Sequence, residues 1–134
     1  MANVLTNLGE EWVVDRLIGT SGTYSSSTGA YVGWGTGAGT SNKTDTALFT
    51  QSNDPSSTAM VSTNASVTKT GTGSSAKWQC VSTLPSTSSQ TITNAGIWAG
   101  ANASSAALFV KGDFTGIPLV SGDSIQFTFT LDPS

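Results

Sequence analysis

The chain has 134 residues, a formal net charge of −3 and only 10% charged side chains, which suits one domain that buries a core without a disulfide or metal. Its basic residues, Arg16, Lys43, Lys69, Lys77 and Lys111, are scattered, which argues against a nucleic acid or an anionic membrane surface as partner, since both require clustered cations. Ser and Thr make up about a third of the chain and there are 15 Gly; that mix predicts an all-β protein of many short strands rather than a disordered chain.

At the N-terminus, Met1-Ala2-Asn3 lacks the positive start and apolar run of a secretory signal. No stretch reaches membrane-spanning length, so synthesis in a cytoplasm, without secretion, is the expectation. Asn7 reads as a helix N-cap with Glu10 three residues on. Glu10 and Glu11 suit the first turn, and Gly19 can end the helix. Val13, Val14, Leu17 and Ile18 form an apolar stripe at helical spacing. So short a helix must dock to persist. The stripe is expected to pack across a sheet of its own domain; the alternative is that it, or Met1–Thr6 ahead of it, reaches a neighbouring subunit.

Residues 19–30 read as a loop anchored only by Tyr24. Tyr31 to Gly35 predicts a short strand. The run Gly35-Thr36-Gly37-Ala38-Gly39-Thr40 invites a phosphate-loop reading, but no Gly-Lys-Ser/Thr follows and no amphipathic helix supplies an anion-binding N-terminus. A glycine-rich turn or bulged strand is expected instead. Asp45 to Phe49 predicts a single helical turn capped by Asp45, and Asn53-Asp54-Pro55 a turn. Thr58 to Thr70 reads as a strand or bent pair, turning at Gly71-Thr72-Gly73 into a partner over Ala76–Leu84, with Trp78, Cys80 and Ser82 on one face. Thr91 to Trp98 predicts a strand bent or bulged at Gly96. Leu108–Val110 is a short apolar run that halts at Lys111-Gly112-Asp113, and Pro118 confines the next piece to an edge. In the last strand, Ile125, Phe127, Phe129 and Leu131 alternate with Ser124, Gln126, Thr128 and Thr130, so one face is buried. Seven to nine strands at these spacings predict an antiparallel β-sandwich, jelly-roll or Ig-like, with one short N-terminal helix. The expected division is a single domain over 1–134, with an arm and helix at 1–19 and the sandwich at 31–131.

The chain has no histidine, which removes most nucleophilic triads and most zinc sites. Asp113 and Asp123 stand beside glycines and read as turn formers, not as a facing carboxylate pair. Cys80 reads as a small buried hydrophobe, since only Lys77 stands near to lower its pKa. No catalytic, cofactor or metal residue is expected, and the chain reads as non-enzymatic. Trp34 and Trp98 lie beside small residues and admit two readings: sandwich core, or stacking platforms for sugar rings.

Five segments in order carry a resemblance: Tyr31-Val32-Gly33-Trp34-Gly35-Thr36-Gly37, Asp45-Thr46-Ala47-Leu48-Phe49, Ile92-Thr93-Asn94-Ala95-Gly96-Ile97, the stretch from Leu108 to Ile117, and Gly122-Asp123-Ser124-Ile125. Their order and spacing resemble the capsid decoration, or cement, proteins of tailed bacteriophages, with related modules on tail-fibre proteins. The resemblance spans nearly the whole chain. It implies a β-sandwich that assembles as a symmetric homo-oligomer, a trimer favoured, on the major capsid protein at the virion surface, with no cofactor. Contacts to subunit or capsid are expected from Ala2, Asn3, Val4, Leu5, Leu8 and Tyr24. The other readings are a tail-fibre or tail-adaptor component, and a carbohydrate-binding module using Trp34 and Trp98.

Overall fold

The computed structural model describes residues 2–18, 30–54, 63–99 and 108–132. Strand β1 (Ala2–Leu5) leads into helix α1 (Asn7–Leu17), followed by β2 (Ala30–Gly35), β3 (Thr63–Thr70), a 3-10 turn (Gly73–Ser75), β4 (Lys77–Pro85), β5 (Gln90–Trp98), β6 (Leu108–Leu119) and β7 (Ser124–Leu131). All pairings are antiparallel, in the order β1-β6-β5-β2-β3-β4-β7. Strand β3 turns the corner between two sheets: residues 63–65 pair with β2, and Ser66 to Thr70 pair with β4. This is a β-sandwich with one short helix, as the alternation predicts.

Aromatic side chains join the sheets. Trp34 of β2 meets Phe127 of β7 edge to face at 6.3 Å, Phe114 of β6 meets the same ring at 6.1 Å, and Trp78 of β4 meets Phe109 of β6 at 6.2 Å. Val32, Cys80, Leu84, Ile92, Ile97, Val110 and Phe129 complete a core that is wholly shielded from solvent. Phe127 and Phe129 are buried as the period-two pattern of β7 requires, with Ile125 and Leu131 packed at the margins.

Several boundaries differ from expectation. The helix cap is Thr6, one residue earlier than expected: its Oγ1 accepts the Gly9 amide at 3.2 Å and its carbonyl accepts the Glu10 amide. Ala2 to Leu5 form no free arm; they are the edge strand of the larger sheet, in register with Asp113 to Val110. Strand β6 does not stop at Lys111 but runs on to Leu119, because Lys111 finds a buried partner set. The irregularities in the β5–β6 ladder fall on either side of Gly96, between Ile92 and Asn94 and between Ile97 and Trp98. The second leaves Phe109 as an extra residue, so that it and Val110 both reach the core. Pro118 lies where β6 pairs only with β5 among the described strands, which suits a residue with no amide to donate. Asp45 to Phe49 form no helical turn.

Candidate functional site

Two glycines, Gly35 and Gly96, clear the face of the larger sheet that points away from the core, and the segment 36–54 approaches it there. The approach leaves no room for a side chain: a Cβ on Gly35 would stand 2.5 Å from the Phe49 carbonyl, and one on Gly96 would stand 2.9 Å from Leu48. Leu48 joins Trp98, Leu108 and Tyr31 in a second apolar cluster on this side. Asn94, fully buried, holds the segment as a strand would: its Oδ1 accepts the Phe49 amide and its Nδ2 donates to the Phe49 carbonyl, both at 3.0 Å. The Gly37 amide donates to that carbonyl too, and the Thr36 amide to the Thr50 carbonyl. Thr50 pays for this course with a φ of 46°, which is costly for a β-branched residue.

The ionic centre of the clamp is Lys111, only 1% exposed. Its Nζ donates to Asp45 Oδ2 and to the Ala47 carbonyl, each at 2.9 Å, and stands 3.2 Å from the centroid of the Phe49 ring. Burial alone would raise the Asp45 pKa, but the Asn42 amide and the Lys111 ammonium outweigh it and hold the carboxyl below its ordinary value. Asp113 accepts the Ser41 amide at 2.7 Å, and that bond holds its carboxyl low as well. Contrary to expectation, Asp113 forms no turn; it lies within β6. Asp123 does shape a turn, accepting the Val120 amide at 2.9 Å.

Asp54 closes the end of the same segment. Its carboxylate takes the Ser86 hydroxyl, the amides of Thr87 and Ser88, the Thr87 hydroxyl and the Gln90 amide group. Desolvation pushes this carboxyl up, and the bonds from Thr87, Ser86 and Ser88 more than reverse the push. The Trp34 indole donates to the Asp54 carbonyl at 2.9 Å. Ser86 in turn exchanges backbone bonds with Asp123 and Gly122. The carboxylate thereby fastens the end of the segment to the 86–90 connection, and Ser86 ties that connection to the turn at Gly122 and Asp123.

Helix α1 presents the other candidate surface. Gly9 rests on the Phe109 carbonyl, and Trp12 packs on the Phe109 ring at 5.2 Å. The Thr6 amide and hydroxyl bind the carbonyls of Phe109 and Leu108, each at 3.0 Å. The Asn7 amide bonds the Lys43 carbonyl, and the Lys43 ammonium pairs with Glu10. The buried direction of the helix is thus Gly9 and Trp12. The expected stripe faces the other way: Val13, Val14, Leu17 and Ile18 are 48%, 55%, 81% and 68% exposed. Among the described residues, the stripe packs on no part of the sandwich. The overlooked signal was Trp12, the largest apolar side chain of the helix, standing three residues after its one glycine.

Of the expected contact residues, Val4 and Leu5 are half-buried in β1 and Leu8, in the first turn of α1, is 37% exposed. Ala2 and Asn3 are placed by backbone pairing in β1. Tyr24 lies outside the described residues. Trp34 and Trp98 are 0% and 1% exposed, so neither offers a ring face to a sugar; the sheet-to-sheet core and the outer cluster occupy them. A shallow depression of about 420 Å³ separates α1 from the clamp, lined by Asn7, Leu8, Glu11, Lys43 and Leu108, among others. Comparison with known proteins returned no match: no protein family, no curated protein and no solved structure resembles the chain closely enough to report.

Proposed function

We propose that the chain is a structural subunit of a virion, a capsid decoration protein that binds the outer surface of the assembled shell and stabilises it. The observation that carries this reading is the outward face of α1: Val13, Val14 and Leu17 of the helix and Ile18 just after it stand exposed, on a helix seated on the sandwich through Thr6, Gly9 and Trp12. Surfaces of that kind mark proteins completed by another protein. The motif series supports the same reading. Tyr31–Gly37, Asp45–Phe49, Ile92–Ile97 and Leu108–Ile117 supply the clamp over 36–54, so the residues that carry the resemblance build a scaffold, and binding is left to its surfaces. Low charge density limits the desolvation cost of a large interface, and short Ser and Thr side chains lose little entropy on ordering. Stabilisation would follow from mass action, because a subunit that binds only the assembled shell shifts the equilibrium toward it.

Quantitative mass spectrometry of purified particles tests the location. Copy numbers near parity with the major capsid protein support decoration, while a number far below parity assigns the protein to a tail-fibre or adaptor position. Co-sedimentation with shells lacking the protein tests the activity: saturable binding with raised thermal resistance is expected, and absence of binding would overturn it.

A further inference from the structure

The depression between α1 and the segment 36–54 adjoins the exposed face of the helix. Asn7 and Glu11 line it. Val14 and Ile18 follow them at three- and four-residue spacing, so the four lie in one row along the helix surface. The Ile18 amide still bonds the Val14 carbonyl at 3.1 Å, which carries the row one residue past α1. Depression and aliphatic stripe are therefore one continuous surface. We infer that this surface takes an apolar segment of the shell protein together with one cationic side chain, a Lys or Arg seated in the depression against Glu11; the inference rests on the shell-binding role proposed above and names the chemistry of what is bound.

Charge selects a cation. The Lys43 ammonium is already paired with Glu10, and the Lys111 ammonium with Asp45. Glu11 is exposed and pairs with no cation among the described residues. The uncompensated charge at the depression is therefore a single carboxylate. The lining selects a long side chain over a free ion. Leu8 and Leu108 give the depression apolar surface, and a Lys or Arg lays its methylene stem along such surface while its head group reaches a carboxylate. A metal ion would need more ligands than Glu11 supplies, and the described residues hold no group of three or more acidic or other metal-ligating side chains. The walls are fixed before binding: the Asn7 amide bonds the Lys43 carbonyl at 2.9 Å, and the Asn42 amide bonds Asp45 at 2.9 Å. A preformed site of this kind loses little freedom when it is filled. Charged head groups that reach a carboxylate across an apolar wall also fit the place of Arg among interface anchors. The helix rise sets the spacing on the partner: Ile18 lies about 10 Å beyond Glu11, so the shell's cation and its last apolar contact are about two helical turns apart.

Co-sedimentation with shells lacking the protein, repeated across a salt series, tests the inference. Wild-type affinity should fall as salt rises, because the pair at Glu11 is screened. Glu11→Gln should bind about five-fold more weakly at low salt and lose most of that salt dependence. Glu11→Lys should bind about a hundred-fold more weakly, since it sets like charges against each other. Gln126→Lys, exposed on β7, shifts the net charge by the same amount as Glu11→Gln and should leave binding unchanged. Glu11 and Gln126 are both exposed, so near-ultraviolet circular dichroism should be retained in all three variants. Leu17→Glu separates the inference from the reading it rests on. If Leu17→Glu loses binding while both Glu11 variants bind as the wild type does, the shell-binding role stands and the cation in the depression is overturned. Equal weakening by Gln126→Lys and Glu11→Gln also overturns it, because the shell would then sense net charge alone. A wild-type chain that binds no shell overturns both.

Discussion

Lys111 shares its ammonium among Asp45, the Ala47 carbonyl and the Phe49 ring, so removing it strands a partly buried carboxylate and an unpaired carbonyl together. Lys111→Ala is therefore expected to cost about 3–5 kcal/mol, read as a lower urea midpoint at unchanged slope. Lys111→Met combined with Asp45→Leu should recover much of that loss, since no charge is left unpaired. Cys80 makes a sharper residue-scale statement. Burial pushes its thiol up to about 12, so in the native protein it should ignore Ellman's reagent at pH 8 and react at the rate of an exposed thiol only after denaturation. Native reaction at the free-thiol rate would contradict the placement of β4. Cys80 could be read as buried from composition and neighbours alone. Lys111 could not, because its partners lie 64 and 66 residues away in sequence, and a lysine in a strand ordinarily points to water.

The segment 36–54 behaves as an element although it contains no regular structure, and its fastening is carboxylate-based. Asp45, Asp54 and Asp113 all have pKa values lowered in the folded state from 3.8. The sign follows from linkage: their stabilisation is complete above the unfolded value near 3.8 and is lost as pH falls through the lower folded values. Stability should therefore be flat from neutrality to about pH 5 and should fall steeply below pH 4, with the amides of Thr36 and Gly37 exchanging sooner than those of β4 and β7. Asp54→Asn should flatten part of that fall. Gly35→Ala is expected to lift the segment, because the new methyl meets the Phe49 carbonyl. Hydrogen exchange should then rise over 36–51 while the β4–β7 ladder stays protected, and unchanged exchange would remove the clamp from the account. An N-terminal truncation would be a poor test of interface contacts. Deleting residues 1–8 removes an edge strand and a helix cap together, so a surface change at Leu17 is the cleaner probe.

As a whole, the molecule is a sandwich braced on one outer face by 36–54 and at one end by Asp54, with α1 seated on β1 and β6 and open outward. Such bracing joins the outer face and one end of the sandwich to its strands through Asn94 and Gln90. It also relates the carbohydrate reading to burial: Trp34→Ala and Trp98→Ala should each destabilise the fold by about 3–5 kcal/mol, and loss of glycan binding with an intact fold would revive that reading. Strand content, the core face of β7, the edge character of Pro118 and the burial of Cys80 follow from local pattern, because period-two alternation and a missing amide act within a few residues. The direction of α1 and the partners of Lys111, Asn94 and Asp54 do not, because each depends on which distant chain arrives beside it. Val13, Val14, Leu17 and Ile18 announce an apolar face, but whether that face turns inward was decided by competition with Gly9 and Trp12 for the Phe109 surface. Periodicity reports that a face must be buried; only the three-dimensional arrangement reports whether the chain itself buries it or leaves it for a partner.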